Sequence, residues 1–184
     1  YYLCSLEKPH IKTRSRLMKN EVVRSITVNA IVAVIYFLLT FFTPTISFLG
    51  MQVRIAECLI LLCFFRRDYV IGITLGCIFA NFASPISFWD ILFGSLATLI
   101  SGLLISYMKN LFFSTLIPVI LNGFIVGAEL YFILEEPFWI NVAFVMAGEA
   151  IAVSIVGYII FMIFGKKPFF QNLIGAKRNL NFKW

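Results

Sequence analysis

The sequence predicts an all-α, polytopic membrane protein of six transmembrane helices, and three observations carry that expectation. Of 184 residues, 61% are apolar and only 13% charged, with a mean hydropathy of +0.95; a soluble domain of this size has too little interior to hide so much apolar surface. The charges gather at the chain ends and in short connections, leaving uncharged runs of the length that a hydrocarbon core demands. The basic residues also alternate between connections as a six-span topology requires.

Residues 1–23 form a basic N-terminal segment, and no apolar stretch opens before Arg24, so nothing resembles a cleavable secretory signal. The chain opens without a methionine while Met18 precedes Lys19, Asn20 and Glu21. Residues 1–17 are therefore open to being upstream or appended sequence and carry no functional assignment. The first span covers residues 25–43 and ends at Thr43-Pro44, because proline removes an amide donor and biases its predecessor away from helix.

A second apolar segment, 52–65, stops at Arg66, Arg67 and Asp68. Its length suits a buried or re-entrant helix as well as a full crossing. The third span, 69–83, breaks at Ser84-Pro85; the fourth is 88–107, the fifth 111–134 and the sixth 138–164, before a basic tail over 166–184. Small residues recur four apart at Gly72 and Gly76, at Gly94, Thr98 and Gly102, and at Gly123 and Gly127. Such faces let helix backbones approach closely in lipid, either within one bundle or against a partner.

Basic residues in short loops mark the cytoplasmic side. Lys8, Lys12, Arg14, Arg16, Lys19 and Arg24 precede the first span, Arg66 and Arg67 join the second and third, Lys109 joins the fourth and fifth, and Lys166, Lys167, Lys177, Arg178 and Lys183 follow the sixth. The opposite connections hold Arg54 alone. Both termini are thus expected in the cytoplasm, in a cell membrane, and the net charge of +6 belongs to membrane topology and not to nucleic-acid binding.

Ionisable residues inside spans are costly and by default face a cavity. Arg54 and Glu57 begin the second span, Asp90 begins the fourth, Glu129 lies near the end of the fifth and Glu149 deeper in the sixth. All fall in the outer half, accompanied by Gln52, Asn81, Asn122 and Asn141. Asn122 and Glu129, seven residues apart, share a helical face. Structural roles compete for several of these: an Arg54–Glu57 ion pair, Asp90 as an N-cap, asparagines bonded to backbone. Phe88, Trp89, Tyr131, Phe138 and Trp139 cluster at outer span ends, as stacking faces for a ligand or as an interfacial belt.

Enzyme chemistry is not expected. The single histidine, His10, lies in the N-terminal segment, and Cys4, Cys58, Cys63 and Cys77 form no CxxC pair. A GxxxxGK[ST] phosphate loop is absent from the sequence, so any ATP-driven step needs another polypeptide.

The runs Gln52-Val-Arg-Ile-Ala-Glu57, Gly72-Ile-Thr-Leu-Gly-Cys-Ile-Phe-Ala-Asn81, Asp90-Ile-Leu-Phe-Gly-Ser-Leu-Ala-Thr98, Asn122-Gly-Phe-Ile-Val-Gly127 and Gly148-Glu149 together resemble the QueT family. The resemblance covers about Arg24 to Gly165. It implies the substrate-binding S component of an energy-coupling factor (ECF) transporter, which takes a queuosine precursor from outside and docks on the membrane scaffold EcfT, driven by two EcfA-type ATPases. The implied substrate is a deazapurine such as preQ0, preQ1 or queuine, in a pocket toward the outer face, and the outward polar residues Gln52, Arg54, Glu57, Asn81, Asp90, Asn122, Glu129 and Glu149 are the residues expected to bind it. No cofactor is implied in this chain, since ATP is used by the partners. S components dock through an Ala-xxx-Ala pattern on the first helix; here Asn29 replaces the first alanine, leaving Asn29, Ala30 and Ala33 as the docking face, with packing inside the chain as the competing role. An S component for another vitamin-like ligand, or a stand-alone channel or scaffold, is the alternative.

Overall fold

The computed structural model describes residues 8–43, 53–84 and 87–178, all of whose regular structure is helical. Helix α1 runs Lys8–Phe42, well upstream of the expected first span, and its Glu21–Phe42 portion is long and apolar enough to cross a membrane. At its end Thr43 folds back, its amide bonding the Thr40 carbonyl at 3.3 Å and its hydroxyl the Leu39 carbonyl at 2.6 Å. Helix α2 (Ile55–Phe65) and helix α3 (Tyr69–Asn81) are shorter. Helix α4 is Ser87–Tyr107, α5 is Leu111–Leu134, α6 is Phe138–Phe164 and α7 is Pro168–Ile174.

Of the six expected spans, the first, fourth, fifth and sixth are helices long and apolar enough to cross a membrane. The second and third are not. Helix α2 is tightly wound, 3₁₀ over Ile55–Leu61 and α over Leu62–Phe65, so it reaches only about 20 Å against the roughly 30 Å of a hydrocarbon core. It lies at the centre of the bundle, touching α1, α3, α4, α5 and α6. Ala56, Glu57, Ile60, Leu61, Cys63, Phe64 and Phe65 are almost fully buried. Irregular backbone at membrane depth survives where protein, not lipid, surrounds it, and α2 occupies that position.

The 3₁₀ turns of α2 pack against an equally unusual partner. Helix α6 is α-helical over Phe138–Glu149, widens to a π-helix over Ala150–Gly157 and returns to α-helix over Tyr158–Phe164. A Cβ on Gly157 would stand 3.2 Å from the Cys58 Cβ and from Leu61 Cδ1. The overwound and underwound segments thus meet at near backbone contact.

The small-residue faces serve packing within the chain. A Cβ on Gly72 would meet the Asn29 carbonyl at 2.7 Å, and one on Gly76 the Ala33 carbonyl at 2.9 Å and its Cα at 3.1 Å. These glycines let α3 lie against α1. Gly123 and Gly127 do the same between α5 and α6, facing Met146 and Val142. Replacing Gly76 with valine is expected to cost about 2 kcal/mol or more, because backbone atoms of α1 must move. Gly123→Ala meets a methionine side chain that can rotate away and is expected to cost less. Thermal unfolding of the two variants in detergent checks the order.

The C-terminal segment straps the end of the bundle opposite Arg54. Tyr69 Oη donates to the Ile174 carbonyl at 2.6 Å, Arg24 to the Asn172 carbonyl at 2.6 Å and Arg178 to the Met108 carbonyl at 3.0 Å. The Lys177 amide caps α2 by bonding the Phe65 carbonyl at 3.1 Å. Gly175, at φ 58°, ends α7 in the left-handed conformation that glycine adopts most easily.

Candidate ligand-binding site

The polar residues expected in the outer half converge at the end of the bundle where α2, α4 and α6 begin and α3 and α5 finish. Arg54, 5% exposed, is the extended residue before α2. Its Nη2 lies 3.6 Å from Asp90 Oδ1. Asp90 sits within the first turn of α4, so it is not the N-cap residue that the sequence also allowed. Ser84 Oγ donates to its other oxygen, while Asn81 Nδ2 donates to the Asp90 carbonyl at 2.7 Å.

Gly94, one turn further along α4, makes this convergence possible. A Cβ there would stand 3.0 Å from Asn81 Nδ2 and 3.4 Å from Arg54 Nη1, and a larger side chain would displace both.

Glu57 lies one 3₁₀ turn beyond Arg54 and reaches the other way. Its Oε1 accepts hydrogen bonds from Tyr36 Oη and from Thr98 Oγ1 at 3.3 Å. The Thr98 hydroxyl also contacts Cys77 Sγ at 3.4 Å, which joins α1, α2, α3 and α4 in one buried polar network.

Helices α5 and α6 complete the cluster. Asn122 and Glu129 share the buried face of α5, as their spacing predicts. Asn122, Glu149, Glu129 and Asp90 are all buried in this region. Several acceptors in this region have no protein donor: both oxygens of Glu129, Glu57 Oε2, Glu149 Oε2 and Asn81 Oδ1. Each belongs to a side chain no more than 2% exposed. Among the described residues, no group of three or more His, Cys, Asp or Glu side chains is placed to hold a metal ion. Gln52 lies outside the described residues.

The aromatic residues at the outer span ends lie at the surface. Phe88, Trp89, Tyr131 and Trp139 are 69%, 40%, 47% and 72% exposed, and they pack on one another and on Phe93 and Phe138 at the bundle surface. They form the belt. An aromatic ring inside the cluster is Tyr36, 1% exposed, which the sequence reading missed; its signal was a phenol hydroxyl deep in an apolar span. Tyr36, Ser84 and Thr98 all add hydroxyls at the expected acids.

The docking candidates on α1 separate into two roles. Asn29 is tied internally, its Oδ1 accepting from the Gly72 amide at 3.2 Å and its Nδ2 donating to the Ser25 carbonyl at 2.9 Å. Ala33 packs its backbone on Gly76. Ala30 is exposed and, with Ala33, Val34, Phe37, Leu75, Phe79 and Phe82, lines an apolar groove of about 520 Å³ between α1 and α3.

Residues 26–166 match the QueT transporter family. The chain belongs to that family. A QueT relative in Lactococcus lactis subsp. cremoris (strain MG1363), described as "Queuosine precursor transporter QueT", is 31% identical over 159 residues, spanning 77% of this chain and 93% of the relative. No solved structure matches the chain. All the described residues of the polar cluster fall inside the QueT match, as do Asn29, Ala30 and Ala33. Membership together with the long apolar helices makes this QueT chain a membrane transport protein.

Proposed function

We propose that the chain is the substrate-capturing S component of an ECF-type importer, binding a queuosine precursor from outside in the cluster of Arg54, Glu57, Asn81, Asp90, Asn122, Glu129 and Glu149, with Gln52 in the entrance loop. It crosses the membrane six times with both termini in the cytoplasm. The observation that carries the reading is the excess of buried acceptors without protein donors. A 7-deazaguanine ring supplies what they lack: its N1–H and 2-amino group lie side by side on one edge, the array a carboxylate receives in bidentate fashion.

Transport then requires partners. EcfT receives the S component on the α1 groove at Ala30 and Ala33, and two EcfA-type ATPases hydrolyse ATP, for which this chain has no phosphate loop in its sequence.

The test is thermal stabilisation of the detergent-purified chain by deazapurines, vitamins and ordinary nucleobases, since a ligand selective for the folded state raises the melting temperature. A deazapurine is expected to stabilise where guanine and adenine do not. In Glu149→Gln, losing a charge-assisted hydrogen bond is expected to weaken binding about 10- to 100-fold. Stabilisation by a vitamin instead would overturn the substrate and keep the architecture; undiminished affinity in Glu149→Gln would remove that residue from the site.

A further inference from the structure

The end of the bundle opposite Arg54 holds a second polar concentration, apart from the ligand cluster. A cavity of about 260 Å³ is lined there by Arg66, Arg67, Lys177 and Arg178, with Asp68 and two phenylalanines, Phe64 and Phe65. Four cations thus share a wall with one carboxylate. Among the described residues Arg66 pairs with Asp68 at 2.6 Å, while Arg67, Lys177 and Arg178 make no ion pair.

Basic residues on one side of a membrane protein follow from topology, but topology asks only that they stand in the connections. Here they are gathered from two segments remote in sequence. The Lys177 amide bonds the Phe65 carbonyl at 3.1 Å, Arg178 Nη1 bonds the Met108 carbonyl at 3.0 Å, and the Arg67 guanidinium lies 4.3 Å over the Tyr107 ring. Each contact places a cation without cancelling its charge. Tyr107 ends α4, Leu111 begins α5 and Phe164 ends α6, so the cavity lies level with the ends of three long apolar helices, where lipid headgroups meet the chain. Helix α7, which leads into Lys177, leaves Phe169 and Leu173 78% and 58% exposed, while Phe170 packs on Phe65 and Phe161. A short helix with exposed apolar side chains among lysines suits a lipid interface.

We propose that this cavity seats the phosphate group of an anionic phospholipid, with Arg67, Lys177 and Arg178 donating to its oxygens and its acyl chains beside α7. Arginine forks match phosphate oxygens in pairs, and lysine adds a point charge. The apolar side chains around the cations favour a lipid over a free phosphate ion, which has no use for them. Because Lys177 and Arg178 belong to the C-terminal strap and Arg67 to the connection between α2 and α3, a bound phosphate ties the two together.

The test is binding of dihexanoyl phosphatidylglycerol and dihexanoyl phosphatidylcholine to the full chain in a neutral detergent, followed by thermal shift at constant ionic strength. The anionic lipid is expected to bind at least about tenfold more tightly than the zwitterionic one. In the double variant Arg67→Gln, Lys177→Gln, at two exposed positions, that margin is expected to fall to about threefold or less. The double variant Lys166→Gln, Lys167→Gln removes the same charge away from the cavity lining and is expected to keep the margin. Equal affinities for the two lipids in the wild-type chain would overturn the site. So would an equal loss of margin in the two double variants, because diffuse charge would then explain the binding. Inorganic phosphate that displaces phosphatidylglycerol at equal concentration would overturn the lipid assignment in favour of a free anion. The wild-type comparison decides the matter even where a variant fails to fold.

Discussion

Arg54→Met is expected to destabilise the chain by about 3–5 kcal/mol and to abolish ligand binding. The side chain is 5% exposed, its guanidinium 3.6 Å from Asp90. Methionine keeps the volume and removes the charge, leaving buried carboxylates without a cation, which is the costly way to break a buried pair. For a chain of this size the loss corresponds to a fall in melting temperature of roughly 10 °C. Pairing it with Asp90→Asn should restore part of the stability, since the second change removes one of the stranded charges. A double variant as unstable as the sum of the two single ones would show that the pair is not coupled.

The contrast with the other end of the bundle makes the point about burial. Arg66 and Asp68 approach more closely, at 2.6 Å, yet the Asp68 side chain is 39% exposed. Screened by solvent, such a pair contributes at most about 1 kcal/mol, so Arg66→Met should be mild. The Arg66 hydrogen bonds hold the Asp68 carboxyl below its usual range. That small contribution is present at neutral pH and lost as the pH falls through the carboxylate range. Distance alone ranks these two pairs wrongly.

The span limits were legible because charge and proline interrupt apolar runs sharply: the fifth span, 111–134, is the helix Leu111–Leu134. The acids of the site were legible for a related reason, since a carboxylate inside an apolar run has few places to go but a shared cavity. What the sequence did not disclose is the winding of the helices. Amphipathic periodicity separates one kind of helix from another only where one face is polar, and Ala150–Gly157 is apolar on all sides apart from Ser154. Nothing in it distinguishes a π from an α ladder. The role of the aromatic rings stayed open in the sequence because a ring at a span end is equally at home against a ligand or a headgroup. Tyr36 was missed because its partner, Glu57, is remote in sequence and met only through packing.

Ala30→Trp is expected to abolish uptake while leaving ligand affinity within about twofold of wild type. Ala30 is exposed on the groove between α1 and α3, where a partner helix can approach closely only over small side chains. An indole there fills the groove. The ligand cluster should not feel it, because α1 reaches that cluster through Tyr36, which is buried at 1% exposure. Ile31→Trp is the control: Ile31 is 52% exposed and does not line the groove, so uptake should survive. The measurement is precursor uptake in vesicles containing EcfT and both ATPases, alongside calorimetric binding to the isolated chain. Loss of binding together with uptake would make Ala30 a packing residue of the chain itself, and intact uptake would move the docking face off α1.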